Sequence, residues 1–162
     1  MFVLIRTITY ATLFIAFVLI YLPARVLTWA GVTRPDAVGW MQIAGGIVCA
    51  AGAVLALSCV VTFAWIGKGT PAPFDPPRKL VVRGPYRFVR NPMYIGAAVA
   101  LAGAALYYQS VALAAFVAGF LVITHLFVVV YEEPTLRRMF GPDYTSYCGH
   151  VHRWMPVAER AR

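Results

Sequence analysis

Residues 91–134 read NPMYIGAAVALAGAALYYQSVALAAFVAGFLVITHLFVVVYEEP, and this stretch decides the fold. From Asn91 to Tyr131 it carries no Asp, Glu, Lys or Arg. A membrane-spanning helix needs about 20 mostly apolar residues, so the run is too long for one crossing. Its middle, Tyr107-Tyr108-Gln109-Ser110, is a polar break that predicts a tight turn between two helices, roughly Met93–Tyr107 and Val111–Glu133. The first is short for a full span. Glu132-Glu133-Pro134 closes the second.

Working outward, Ala37 to Gly67 is uncharged, and so is Thr7 to Ala24, which Pro23 and Arg25 close. The expectation is an all-α, polytopic membrane bundle of four transmembrane helices, with a short cytoplasmic helix at the C-terminus. The composition agrees. Of 162 residues, 61% are hydrophobic and only 12% charged, against about 45–50% and ~25% in soluble domains. So few charges cannot cover a water-facing surface, which excludes a soluble globule, a disordered chain and a free nucleic-acid binder. The length fits a single domain over residues 1–162. A cleaved signal peptide is the rival reading of the first segment, but Leu22-Pro23-Ala24-Arg25 makes a poor cleavage site.

The net charge is +8, from 14 Lys and Arg against 6 Asp and Glu. Lys68, Arg78, Lys79, Arg83, Arg87 and Arg90 fall between the second and third helices. Arg137, Arg138, Arg153, Arg160 and Arg162 follow the fourth. Only Arg25 and Arg34 lie between the first two. The positive-inside rule therefore places the 68–92 loop and both termini in the cytoplasm, at the inner membrane if the source is bacterial. Cys49, Cys59 and Cys148 form neither a disulfide framework nor a metal-ligand spacing, so no structural metal is expected. Small residues four apart (Gly45, Cys49 and Ala53; Gly96, Ala100 and Ala104; Ala115 and Gly119) predict close helix packing.

Chemistry concentrates in two polar segments at the cytoplasmic face. In the first, Gly84-Pro85 marks a turn, and Asn91-Pro92 reads as a helix start with Asn as N-cap and Pro at the first helical position. The free N–H groups of such a start suit a ligand carboxylate; the bland alternative is a basic loop meeting anionic lipid. In the second, Glu132 and Glu133 end an apolar helix, where ionisable groups are costly. Pro134 frees the carbonyl of Val130 if the helix continues. Glu133 can instead pair with Arg137 one turn on. His125, seven residues before Glu132, shares nearly its helix face, and His125 or Glu133 is the candidate base for an acceptor that must lose a proton. After Gly141-Pro142 a short helix to about His150 places Tyr144, Tyr147, Cys148 and Val151 on one side, as a lid or a surface-lying tail. His150 and His152 are expected to be solvated.

These segments, taken together, resemble the isoprenylcysteine carboxyl methyltransferase family of integral membrane enzymes. The shared pattern reads Leu80-Val81, Gly84-Pro85-Tyr86, Arg90-Asn91-Pro92-Met93-Tyr94-Ile95-Gly96, Glu132-Glu133-Pro134-Thr135-Leu136 and Phe140-Gly141-Pro142-Asp143-Tyr144-Thr145-Ser146-Tyr147, over residues 78–156. The resemblance implies S-adenosylmethionine as cofactor. It implies cofactor contacts from Arg78, Lys79, Leu80, Val81, Tyr86, Asn91, Pro92, Met93, Tyr94, Glu132 and Glu133, with Arg138 orienting cofactor or acceptor. The candidate catalytic residues are then Glu132, Arg138 and His125.

Two positions depart from that family. Asn91 stands where many members carry His. Val128 stands where members that methylate a prenylcysteine carboxylate carry Arg, which counts against a carboxylate acceptor. Asn91–Tyr94 and Tyr131–Pro134 are similar to the phosphatidylethanolamine N-methyltransferases, so the chain sits between the two groups. The implied reaction is in-line methyl transfer to a lipid or small hydrophobic acceptor entering from the bilayer, with no nucleic-acid partner. The rival expectations are a phospholipid N-methyltransferase, a nicotinamide-dependent membrane reductase, and a membrane protein without catalysis.

Overall fold

A computed structural model describes residues 9, 12–13, 16–63, 65 and 79–156. Among these the chain is all-helical, with no strand. Helix α1 runs over Ala16–Trp29. Helix α2 is Trp40–Thr62, α3 is Pro92–Tyr108, α4 is Val111–Phe127 and α5 is Glu133–His150.

Among the described residues, two helical stretches contain a run long and apolar enough to cross a membrane: Trp40–Thr62, and Val111–His150, which is kinked at Gly141. The 23 residues of α2 span about 34 Å at 1.5 Å each, a full bilayer core. Helices α1 and α3 are shorter apolar helices. The outward faces are apolar: Ile47, Val54 and Leu57 on α2 and Val122, Ile123 and Leu126 on α4 are exposed, as lipid contact requires. Trp29, Trp40 and Trp65 stand 89%, 72% and 80% exposed at helix ends, where indoles sit at a membrane interface.

Helix α1 does not stop at Pro23 as its pattern suggests. A π segment, Ala16–Tyr21, runs directly into Leu22–Trp29, and Pro23, which brings no N–H, falls where the wider turn passes into the α-helical part. Helix α2 starts at Gly39, whose N–H donates to Gln42 Oε1 at 3.0 Å, and Gln42 Nε2 donates to the Tyr107 carbonyl at 3.3 Å. The α3–α4 turn falls at the expected break. Gln109 adopts a left-handed φ of 49°, and Ser110 caps α4 by accepting from the Leu113 N–H at 3.2 Å.

The antiparallel α2–α3 pair is the tightest contact. A Cβ added at Gly52 would lie 2.3 Å from Ala100 N, and one at Gly103 would lie 2.3 Å from Cys49 N. The packed stripes are Gly45, Cys49, Gly52 and Ala56 against Gly96, Ala100, Gly103 and Tyr107. The expected spacing of four therefore gives way to alternating fours and threes, and Gly52 and Gly103 replace Ala53 and Ala104. A real helix turns every 3.6 residues, so a strict spacing of four drifts off the seam.

Helices α4 and α5 follow one another without a loop, and the break expected at Gly141-Pro142 falls inside α5, with a short helix beyond it. A π turn, Val128–Glu132, joins them, and the Glu133 N–H reaches back to the Val128 carbonyl. Helix α5 then runs on to His150, kinked where Gly141 takes φ 52° and ψ −123°.

Candidate active site

The site is built where the loop before α3, the first turn of α3 and the π turn meet. The residues Gly84–Arg87 form a 3₁₀ turn with Pro85 at its start. It buries Tyr86 with Val81 against Cys59, beside Leu55, Phe63 and Met93. The Tyr86 and Phe63 rings lie 5.4 Å apart. Burial raises the Tyr86 hydroxyl well above its ordinary value, so it stays protonated; Glu132, Tyr94 and Tyr147 are among the neighbours that push the same way.

Asn91 and Pro92 are buried at the start of α3. Asn91 is the residue before the first helical turn, as expected, but its side chain does not cap the helix. Its Nδ2 donates instead to the Arg153 carbonyl at 3.2 Å. The early N–H groups of α3, at Met93 and Tyr94, therefore keep no side-chain acceptor from Asn91. Within that first turn, the Tyr94 hydroxyl donates to Glu132 Oε2 at 3.0 Å. This pairs the two groups that the sequence singles out from opposite ends of the hairpin.

Glu133 points elsewhere. Arg153 grips it with Nε to Oε1 at 2.6 Å and Nη2 to Oε2 at 2.9 Å, and Arg90 Nη1 lies 3.1 Å from Oε1. The partner suggested by local spacing, Arg137, is exposed. These hydrogen bonds hold the Arg153 guanidinium above its ordinary value. Arg90 Nη1 also donates to Cys148 Sγ at 2.8 Å. Among the described residues Arg90 Nε is a buried donor without a hydrogen-bond partner.

Pro134 brings no N–H, so neither Val130 in the α register nor Val129 in the π register receives a bond from position 134. Val128 is 1% exposed and packed inside.

Of the other sequence candidates, Leu80 is half-buried and Lys79 is exposed. Arg78 lies outside the described residues. Arg138 is exposed, and its Nε donates to the Pro134 carbonyl at 3.3 Å. His125 is exposed on α4 and is joined to the tail: Trp154 Nε1 donates to its Nδ1 at 3.0 Å. The neutral ring then carries its proton on Nε2 and has no spare lone pair. Sequence reasoning did not single out Arg153, and no local signal could have, because its partner Glu133 is 20 residues away.

The tail helix docks by the face expected. Tyr144 and Val151 are buried, and Tyr147 and Cys148 are half-buried. His150 and His152 are exposed.

A family model described as phospholipid methyltransferase matches residues 38–143. No curated protein and no solved structure matches the chain. The matched range includes Lys79–Val81, Tyr86, Asn91–Tyr94, Glu132 and Glu133, and ends before Arg153 and Trp154.

Proposed function

The chain belongs to the phospholipid methyltransferase family, a membrane methyltransferase family, and from that premise we propose that it transfers the methyl group of S-adenosylmethionine to a lipid or small hydrophobic acceptor. The observation that carries the reading is the Tyr94–Glu132 hydrogen bond at the meeting of α3 and the π turn.

The residues present fit the cofactor. Its amino group needs an acceptor, which Glu132 and the carbonyls spared by Pro134 offer. Its carboxylate needs donors, which the first N–H groups of α3 and the unpartnered Nε of Arg90 offer. Its positive sulfur favours an aromatic face, and Tyr94 is the nearest to Glu132. S-adenosylmethionine supplies a methyl group on a sulfonium, which leaves as a neutral thioether once the methyl has moved.

The protein's part is positioning and proton handling. Glu132, held at Oε2 by Tyr94, keeps Oε1 for the amino group or for a proton lost by the acceptor. We assign that role to Glu132 ahead of His125, whose Nδ1 is engaged by Trp154. The α3–α4 hairpin holds Tyr94 and Glu132 against each other, an arrangement that suits the preorganised, collinear approach that methyl transfer needs. The acceptor enters sideways from the bilayer, past the apolar outer face of α4. Val128 leaves no cation on that turn for an acceptor carboxylate, which favours an acceptor of another kind.

The test is calorimetric titration of S-adenosylmethionine and of its demethylated product into the purified protein. Saturable binding that disappears in Glu132→Ala is expected. No binding by well-folded protein overturns the reading.

A further inference from the structure

The last described residues turn back across the start of α3 and the end of α4. The Tyr147 hydroxyl donates to the Tyr86 carbonyl at 2.5 Å. The Arg90 N–H donates to the His152 carbonyl at 2.9 Å, and Asn91 Nδ2 donates to the Arg153 carbonyl. Arg153 clasps Glu133 with both arms of its guanidinium, and Trp154 reaches His125 on α4. One segment is thus tied to Tyr86, to the two residues that precede α3, and to the chain neighbour of Glu132.

Building on the functional reading above, we propose that residues 144–154 form a strap that holds the two halves of the Tyr94–Glu132 pair in register, with Arg153 as the positioning residue. Tyr94 sits on the first turn of α3, whose entry is set by Arg90 and Asn91. Glu132 sits on the π turn, whose exit is set by Glu133. Arg153 bonds to both sides: its carbonyl accepts from Asn91, and its side chain clasps Glu133.

The chemistry of the clasp suits this task. A two-pronged guanidinium–carboxylate pair fixes orientation as well as distance. The Glu133 side chain is only 8% exposed, so removing Arg153 leaves a buried carboxylate with Arg90 at 3.1 Å and the more distant charge of Arg137 in place of a two-pronged clasp, and the turn must shift to rehydrate it. The strap lies beyond residues 38–143, the range that the family model matches.

The experiment uses the full chain in lipid nanodiscs, as wild type, Arg153→Ala and Arg153→Lys. Calorimetry reads S-adenosylmethionine affinity, and hydrogen exchange reads the Arg90 amide, which the strap protects through His152. Arg153→Ala is expected to weaken binding at least tenfold and to speed exchange at Arg90, while exchange in α2 and the middle of α3 stays unchanged. Arg153→Lys, which keeps the charge but not the fork, is expected to recover part of both.

Wild-type affinity in Arg153→Ala overturns the proposal. So does faster exchange throughout α2 and α3 in both variants, which marks a merely structural role. If the wild type itself binds no S-adenosylmethionine, the functional reading fails separately. Exchange at Arg90 then still decides the strap: a local rise supports it, and no change overturns it.

Discussion

Adjacent carboxylates here have different duties. Glu132 meets a tyrosine hydroxyl and Glu133 meets two guanidiniums. Consecutive helical residues point about 100° apart, so one turn presents one acid to the site and the other to the strap. Tyr94 and Glu132 were legible in the sequence although 38 residues separate them, because each is an unusual group at the edge of an apolar run. The partner of Glu133 was not legible. Local spacing offers only Arg137, and Arg153 arrives through the folding of the tail. At this scale we expect Tyr94→Phe to lower S-adenosylmethionine affinity by about tenfold or more, the scale of one hydrogen bond to a charged group. Tyr94→Ala, which also removes the aromatic face, should lower it further. Calorimetry on both variants checks this, and equal losses would mean that the ring contributes nothing.

Helix pairing rests on glycines that look alike in the sequence. Gly52 and Gly103 have partner backbone 2.3 Å from where a Cβ would stand, whereas Gly119 on α4 has nothing within 4 Å. Gly52→Ala should therefore destabilise the protein by about 1–3 kcal/mol or more, since backbone must move to admit the methyl. Gly119→Ala should be neutral or stabilise by up to about 1 kcal/mol, because alanine is the better helix former and meets no neighbour. Thermal unfolding of the two variants in one detergent compares them. The small-residue pattern was readable, but its register was not, because register depends on which face the partner helix meets. The π turn was also hidden. Pro134 pointed to a disturbed ladder, yet the sequence does not state that the ladder widens to five residues.

For the molecule as a whole, loop charge predicts that the 68–92 loop and the tail face the cytoplasm. Cys148 on the half-buried face of the tail helix is the probe. A membrane-impermeant thiol reagent should modify it in inside-out vesicles or opened cells and not in intact cells. Labelling from outside would reverse the orientation. Cys59 is 0% exposed and should stay unmodified in either case.

The sequence by itself determined that this is an all-helical membrane protein. It also determined where the hairpin turns, and it singled out the tyrosines, carboxylates and helix start that the candidate site brings together. Those follow from apolar length, turn residues and the cost of charge near lipid, all of which act locally. Only the tertiary structure decided the partners. Seven residues along an α-helix would put His125 on the face of Glu132, but the wider π turn between them breaks that register, and His125 meets Trp154 instead. A helix's phase sums over every residue in it, so a single widened turn redirects all that lies beyond.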